Sequence, residues 1–202
     1  MKIIASILLS LLLVFETCDN PKQKEIQSSN STANLWVKML VEIPAGTIEK
    51  YELNKENGKL EQDSVDGKPR LIKYIGYHAN YGMIPETILS KSDGGDGDPL
   101  DIIAIGPPSK IGDTVECKVI GILKLKDRGE QDDKLIAISK NSTLEDVNSL
   151  ADLKLKYPGI SEIIEIWFTN YKGQGKMISQ GYREKNEAIE LYLTSKNSYK
   201  GL

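Results

Sequence analysis

The sequence predicts an α+β fold built on a small closed β-barrel, and three features predict it. Short alternating apolar segments recur between residues 36 and 138, glycine, proline and Asn-Gly turns separate them, and helical spacing appears only after residue 143. Residues 36–43 alternate as a strand. Residues 48–53 form a second, and Asn57-Gly58 turns the chain before Lys59-Leu60. Asp66-Gly67-Lys68-Pro69 is a further turn, and residues 71–77 are apolar and aromatic enough for a strand. Residues 101–106 read as a short buried strand, stopped by Pro107-Pro108. Residues 113–125 form a long strand in which Gly121 marks a bend or bulge, and residues 134–138 form another. The helices come late. Residues 143–150 predict a short helix capped by Thr143. Ile163, Ile164, Trp167 and Phe168 share one face over residues 160–170, as do Ala188, Leu191 and Tyr192 over residues 186–195. No internal repeat or linker interrupts residues 35–202, which read as one domain.

Composition narrows the function. In 202 residues, 26 Lys and Arg stand against 29 Asp and Glu, for a net charge of −3. That balance argues against a nucleic-acid partner, which calls for a dense basic surface. A single His (His78) and two Cys (Cys18, Cys117) are too few for a structural zinc site. Cys117 sits on an alternating strand and reads as a small buried hydrophobe.

The N-terminus predicts export. Met1-Lys2 precedes an apolar run over residues 3–15, a length that fits a signal peptide and is too short to span a bilayer. Cys18 follows, then a polar stretch. The pattern resembles a bacterial lipoprotein signal, although Phe15-Glu16-Thr17 departs from its leucine-and-small-residue consensus. The expectation is a signal peptide over residues 1–17, lipidation at Cys18 and a polar tether over residues 18–34. The product would be an exported protein: a lipid-anchored lipoprotein at a membrane, or a periplasmic or extracellular one.

The chemistry lies in the carboxylates. Asp93, Asp96, Asp98 and Asp101 fall within nine residues of a glycine-rich loop that Pro99 stiffens before a strand. Four negative charges this close call for neutralisation, and hard cations with oxygen ligands supply it. The start resembles an EF-hand loop, but the glutamate at its twelfth position and the flanking helices are missing. Residues 124–134 carry a second acidic cluster, with Asp127, Asp132 and Asp133. Each loop alone also reads as a solvated acidic turn. Two such loops at the ends of neighbouring strands could instead hold paired Mg²⁺ ions, an arrangement suited to phosphoryl chemistry. Lys50, Arg70, Tyr81, Lys134, Tyr171 and Lys172 could hold phosphate oxygens.

Asp96-Gly97-Asp98-Pro99-Leu100-Asp101 resembles the signature of the family I soluble inorganic pyrophosphatases. Six further segments resemble that family in its own order: Val41-Glu42-Ile43-Pro44, Lys50-Tyr51-Glu52, Asn80-Tyr81-Gly82, Gly121-Ile122-Leu123-Lys124 with Asp127, Asp132-Asp133-Lys134-Leu135, and Tyr171-Lys172. The resemblance spans about residues 36–185. It implies an OB-like five-stranded closed barrel flanked by a few helices, and Mg²⁺-dependent hydrolysis of pyrophosphate to two phosphates by a homo-oligomer. It implies that Asp96, Asp101 and Asp132 ligate metal, that Asp127 joins Asp132 on a further ion, and that Glu42 and Glu52 act through water. Asp98 would orient and deprotonate the attacking water, and Lys50, Tyr81, Lys134, Tyr171 and Lys172 would contact phosphate. Asp133 lies between matched residues and is left out. The family's arginine falls by direct spacing on Ser64; Arg70, after an insertion, takes that role here. Lys176 corresponds to a further family lysine behind a shortened loop. Two other readings stay open: a phosphohydrolase of extracytoplasmic polyphosphate or nucleotides, and a non-catalytic lipoprotein that binds metal or phosphate.

Overall fold

The computed structural model describes residues 34–200. The proposed signal peptide, Cys18 and nearly all of the tether lie outside them. The described residues belong to one compact unit. The strands are β1 (Trp36–Ile43), β2 (Tyr51–Leu53), β3 (Leu60–Gln62), β4 (Ser64–Val65), β5 (Lys68–Pro69), β6 (Asn80–Met83), β7 (Asp101–Ile105), β8 (Thr114–Asp127), β9 (Glu130–Gln131), β10 (Lys134–Ser139) and β11 (Met177–Glu184). Helices α1 (Leu150–Lys156), α2 (Ile160–Asn170) and α3 (Lys185–Lys200) complete the described chain.

The main sheet is mixed and runs in the order β1-β6-β7-β10-β8-β11, with β9 on β8 and a further pairing of β1 with β8. Each side of β10 carries a neighbour: β7 runs parallel to it and β8 antiparallel. All six β10 residues are buried, as expected of a strand covered on both faces. In β1, alternation buries Val37, Met39, Val41 and Ile43, and Glu42 at its end is buried as well. The fourteen-residue β8 pairs β1 near its start, β10 in its middle and β11 towards its end. The ladder to β10 shifts register opposite Gly121, where the sequence predicts a bulge. A Cβ at Gly121 would stand 2.3 Å from Leu150 Cδ1 and 2.9 Å from the Arg183 carbonyl oxygen, so only glycine lets α1 and β11 close on β8 there.

Apolar side chains gather in two layers. One joins Ile43, Ile103, Leu123 and Ile136 to Trp167 and Phe168 of α2 and Leu150 and Leu153 of α1. The other joins Val37, Met39, Val41, Ile102 and Leu135 to Ala188 of α3. Among the described residues, no helix is long and apolar enough to cross a membrane.

Three local expectations are corrected, and two strands were not expected. Residues 71–77 form no strand; only Leu71 bridges, to Glu49. Long-range bonds fix that segment instead, including Tyr77 N–H to the Thr47 carbonyl and Trp167 Nε1–H to the Ile75 carbonyl at 3.0 Å. Its apolar residues serve packing, with Tyr77 4.4 Å from the Trp167 ring. The strand expected over residues 48–53 is confined to Tyr51–Leu53. Thr143 caps no helix: α1 starts at Leu150, because the Ser149 hydroxyl accepts from Asp152 N–H at 3.0 Å. Finally, β6 and β11 carry too few large apolar residues to show alternation, yet both join the main sheet.

Candidate active site

The turn chemistry of the first acidic loop is local. Gly94 and Gly97 hold φ of 84° and 86°, a region where a Cβ is strained. Asp96 Oδ1 accepts from Asp98 N–H at 2.8 Å, which closes the loop on itself. The chain then enters β7, and the parallel register sets Asp101 opposite Lys134 of β10. On the other side of β7, β6 supplies Tyr81, paired with Ile103. A Cβ at Gly82 would stand 2.0 Å from the Leu40 carbonyl oxygen, so the Asn-Tyr-Gly segment needs glycine to lie against β1. Asn80, fully buried, fixes the start of β6 by accepting from Ala45 and Ser109 N–H and donating to the Pro107 carbonyl.

These elements enclose a cavity of about 440 Å³. Asp98 lines it, as do Asp96, Asp101, Asp132, Glu42 and Glu52 among the expected metal ligands. All six residues expected to hold phosphate, Lys50, Arg70, Tyr81, Lys134, Tyr171 and Lys172, line it too. Asp127 does not; it lines a neighbouring cavity, where its Oδ2 accepts from Lys172 Nζ at 2.6 Å. Two polar lining residues escape the sequence reading. Tyr77 is hidden there within an apolar run. Lys55 sits in an exposed turn and pairs with Asp98, and only its charge could have marked it.

Lysines neutralise the carboxylates. Lys134 Nζ stands between Asp101 and Asp132, 2.6 Å from Asp132 Oδ1, and 5.9 Å from the centre of the Tyr81 ring. Burial alone would drive the Lys134 ammonium down, but Asp101 and Asp132 hold it above the usual lysine value. Lys50 pairs with Glu52. Burial and the nearby Arg70 charge lower the Lys50 ammonium to about 8. Burial and the Asp101 charge push Glu42 up to about 7, against a Leu53 N–H that donates to Glu42 Oε1 at 3.0 Å. Arg70 lines the cavity while its Nη1 donates to Asp63 Oδ2 at 2.7 Å. Tyr171 stacks on Trp167 at 4.4 Å, which ties its ring to the α2 core.

The donor set suits a hard divalent cation. The lining holds carboxylate oxygens and neither His nor Cys. Among the described residues, no three such side chains stand in ready metal-binding geometry, and ammonium groups pair with Asp98, Asp101 and Asp132. Those ammonium groups mark where positive charge is wanted. Asp127 Oδ1 is buried without a hydrogen-bond partner, an acceptor open to a cation. Asp133 turns away: its Oδ1 accepts from Leu125 N–H at 3.0 Å and its Oδ2 pairs with Lys124 at 2.6 Å.

A carboxylate cavity ringed by cations and phenols, set on a mixed sheet with few helices, has the donor chemistry to take a polyanion and a hard cation together. The sequence model described as inorganic pyrophosphatase matches residues 39–200, and the chain belongs to the inorganic pyrophosphatase family. It is similar to the mitochondrial inorganic pyrophosphatase of Saccharomyces cerevisiae, at 35% identity over 82% of this chain and 62% of that one. It is similar to the inorganic pyrophosphatase of Halalkalibacterium halodurans, at 38% identity over 75% of this chain and 87% of that one. Among solved structures it resembles the truncated vacuolar soluble pyrophosphatase of Trypanosoma cruzi in complex with PPi. There the TM-score is 0.79 at 27% identity, over 96% of this chain and 75% of that one. The chain spans 44–62% of the length of three of the curated relatives it matches.

These relatives correct the expected location. An exported, lipid-anchored, periplasmic or extracellular protein does not stand, since the chain matches a relative named as mitochondrial, that of Saccharomyces cerevisiae, over 82% of its length. The features that suggested export, including Cys18, lie outside the described residues.

Proposed function

We propose that residues 35–202 hydrolyse inorganic pyrophosphate to two orthophosphates with Mg²⁺. One observation carries this reading: six carboxylates and eight cationic or phenolic side chains from distant segments line a single cavity. In this reading Asp96, Asp101 and Asp132 are the principal Mg²⁺ ligands, Glu42 and Glu52 act through water, and Asp127 joins Asp132 on a further ion. Bound Mg²⁺ would cancel phosphate charge and lower the pKa of water from 15.7 towards ~7.

Asp98 orients the attacking water and takes its proton. Oxygen from that water joins one phosphorus, the bridging P–O bond breaks, and the departing phosphate leaves with the electron pair. Lys50, Arg70, Tyr81, Lys134, Tyr171 and Lys172 hold phosphate oxygens and stabilise the charge that the leaving group gains. The carboxylate-bound lysines exchange partners when substrate and metal enter. The return of β1 to both β6 and β8 supports closure of β1, β6, β7, β10 and β8 into the five-stranded OB-like barrel. Exposed Ile163 and Ile166 on α2 support assembly as a homo-oligomer.

The test is phosphate release from pyrophosphate with and without Mg²⁺, beside Asp98→Asn. Mg²⁺-dependent release that falls in the variant supports the reading. No release from the folded protein would leave a metal- or phosphate-binding protein without catalysis. Arg70→Ala should lower kcat/KM for pyrophosphate by about 10–100-fold, the loss of one charge-assisted hydrogen bond. Unchanged kinetics would remove Arg70 from the substrate contacts.

A further inference from the structure

The loop that carries Asp96, Asp98 and Asp101 is held from outside the cavity. It lies at the tip of a folded-back segment, residues 84–100, whose two arms are joined by backbone bonds. Ile84 N–H donates to the Leu100 carbonyl, Leu89 N–H to the Asp98 carbonyl and Gly97 N–H to the Leu89 carbonyl, each at 2.9 Å. Buried Thr87 closes the base of the segment: its hydroxyl donates to the Ile84 carbonyl at 2.6 Å and accepts from Leu100 N–H at 3.0 Å. A Cβ at Gly95 would stand 2.4 Å from the Leu89 carbonyl oxygen, so the tip lies directly on the outer arm. The position of the tip follows that of the arm over residues 85–89.

That arm is docked on α3. Ile88 N–H donates at 3.0 Å to the carbonyl of Ser195, which lies inside the helix and has a second lone pair to offer. Lys196 Nζ pairs with Glu86 at 3.3 Å. Leu89 and Leu100 share the second apolar layer with Ala188 of α3. Consecutive amides link the helix to Asp98: Ile88 N–H reaches α3, and Leu89 N–H reaches the Asp98 carbonyl. Ser195 is 1% exposed and its buried hydroxyl has no hydrogen-bond partner, so its small size, and not its hydroxyl, fits it to the contact. Glu86 holds φ of 58°, a left-handed conformation that a non-glycine residue keeps where its surroundings impose it. Among the described residues that line the active-site cavity, none comes from α3.

We propose that α3 is a positioning element for the reaction: through Ser195 and Lys196 it holds residues 85–89, and through them the three loop carboxylates, where they take metal and water. The proposal rests on the pyrophosphatase reading of the cavity and adds a helix that acts on it from outside. A small displacement of these carboxylates weakens their hold on a metal and on the attacking water. The groups that hold phosphate come from other segments and stay in place. The loss falls on Mg²⁺ affinity and kcat and spares KM.

The test compares the full chain with Ser195→Leu, which overfills the contact, and Ser195→Ala, which preserves it. In metal-free protein, amide exchange at Ile88 and Leu89 should quicken about tenfold in Ser195→Leu, while the β10 amides stay within about twofold. Calorimetric titration should show Mg²⁺ bound about tenfold more weakly. For pyrophosphate, kcat should fall about 10–100-fold with KM within about twofold. Ser195→Ala should match the wild type in each measurement. Where Ser195→Leu does not fold, Lys196→Glu sets like charges together at Glu86, and Glu86→Lys added to it restores an ion pair. Mg²⁺ affinity that falls in the first chain and returns in the second supports the proposal, and equal affinity in both would overturn it. Faster exchange at Ile88 and Leu89 with unchanged Mg²⁺ affinity and kcat would overturn it, leaving α3 a stabilising helix alone. Unchanged exchange in folded Ser195→Leu would also overturn it, since the arm would not depend on the contact. If the wild-type chain releases no phosphate while exchange and Mg²⁺ affinity respond as expected, the pyrophosphatase reading fails and the positioning of the carboxylates stands.

Discussion

The two acidic loops have similar composition and different fates. In the loop before β7, Asp96, Asp98 and Asp101 all line the cavity. Between β9 and β10, adjacent Asp132 and Asp133 part company. Asp132 lines the cavity and pairs with Lys134, while Asp133 binds Leu125 N–H and Lys124. A carboxylate's role here is set by the face of the strand end it occupies. One face meets a cavity that needs charge, and the other meets a backbone amide and a lysine that need a partner.

Substitutions can sharpen this contrast. The largest effect is expected at Asp98: Asn there should lower kcat by about 10²–10⁴-fold, the range for a lost general base, with the denaturation midpoint nearly unchanged. Full activity would place the base elsewhere. At Asp133 the consequences reverse. The side chain is 1% exposed, and Asp133→Ala would leave the Leu125 N–H without its acceptor and Lys124 with only the longer pair to Glu187. Stability should fall by about 3–5 kcal/mol, while turnover per folded molecule stays within about twofold. Lost turnover at unchanged stability would move Asp133 into the metal-binding group. Mg²⁺ at about a hundred times its Kd should stabilise the protein by about 2.7 kcal/mol, read as a raised Tm that EDTA reverses. Without a shift, the first loop would be no more than an acidic turn.

The smallest effect concerns a titrating group among aromatic rings. His78 lies 5.5 Å from the Trp167 ring, both its ring nitrogens lack hydrogen-bond partners, and burial lowers it to about 4. Since the folded value lies below the unfolded value of about 6.5, the unfolded chain takes up the proton first as pH falls. The His78 contribution is therefore complete above about pH 6.5 and is lost as pH falls towards 4. From pH 7 to 5 the loss is about 2 kcal/mol. Glu42, raised to about 7, acts with the opposite sign over that range. The difference between wild type and His78→Phe isolates the histidine: unfolding free energies at the two pH values should fall less in the variant, and equal slopes would count against the burial effect.

Legibility followed the range of the interactions. The Asp96–Asp101 loop was readable because its glycines, its proline and its internal Asp96–Asp98 bond are all local. Gly121 announced its bulge for a similar reason. The segment over residues 71–77 misled, since apolar and aromatic residues that pack on Trp167 look the same in sequence as those of a strand. Strands β6 and β11 went unread because their partners, and not their composition, make them strands.

The sequence by itself determined the chemical inventory: which carboxylates, lysines and tyrosines are present, in what order, and on which turns. The tertiary structure alone decided which of them meet. The parallel register of β7 and β10 sets Lys134 against Asp101, the link between β9 and β10 gives Asp132 and Asp133 different partners, and Asp127 falls beside the main cavity and outside its lining. Residue identity and turn preference are local properties of the chain, whereas the direction of a side chain at a strand end depends on pairings between residues far apart in sequence.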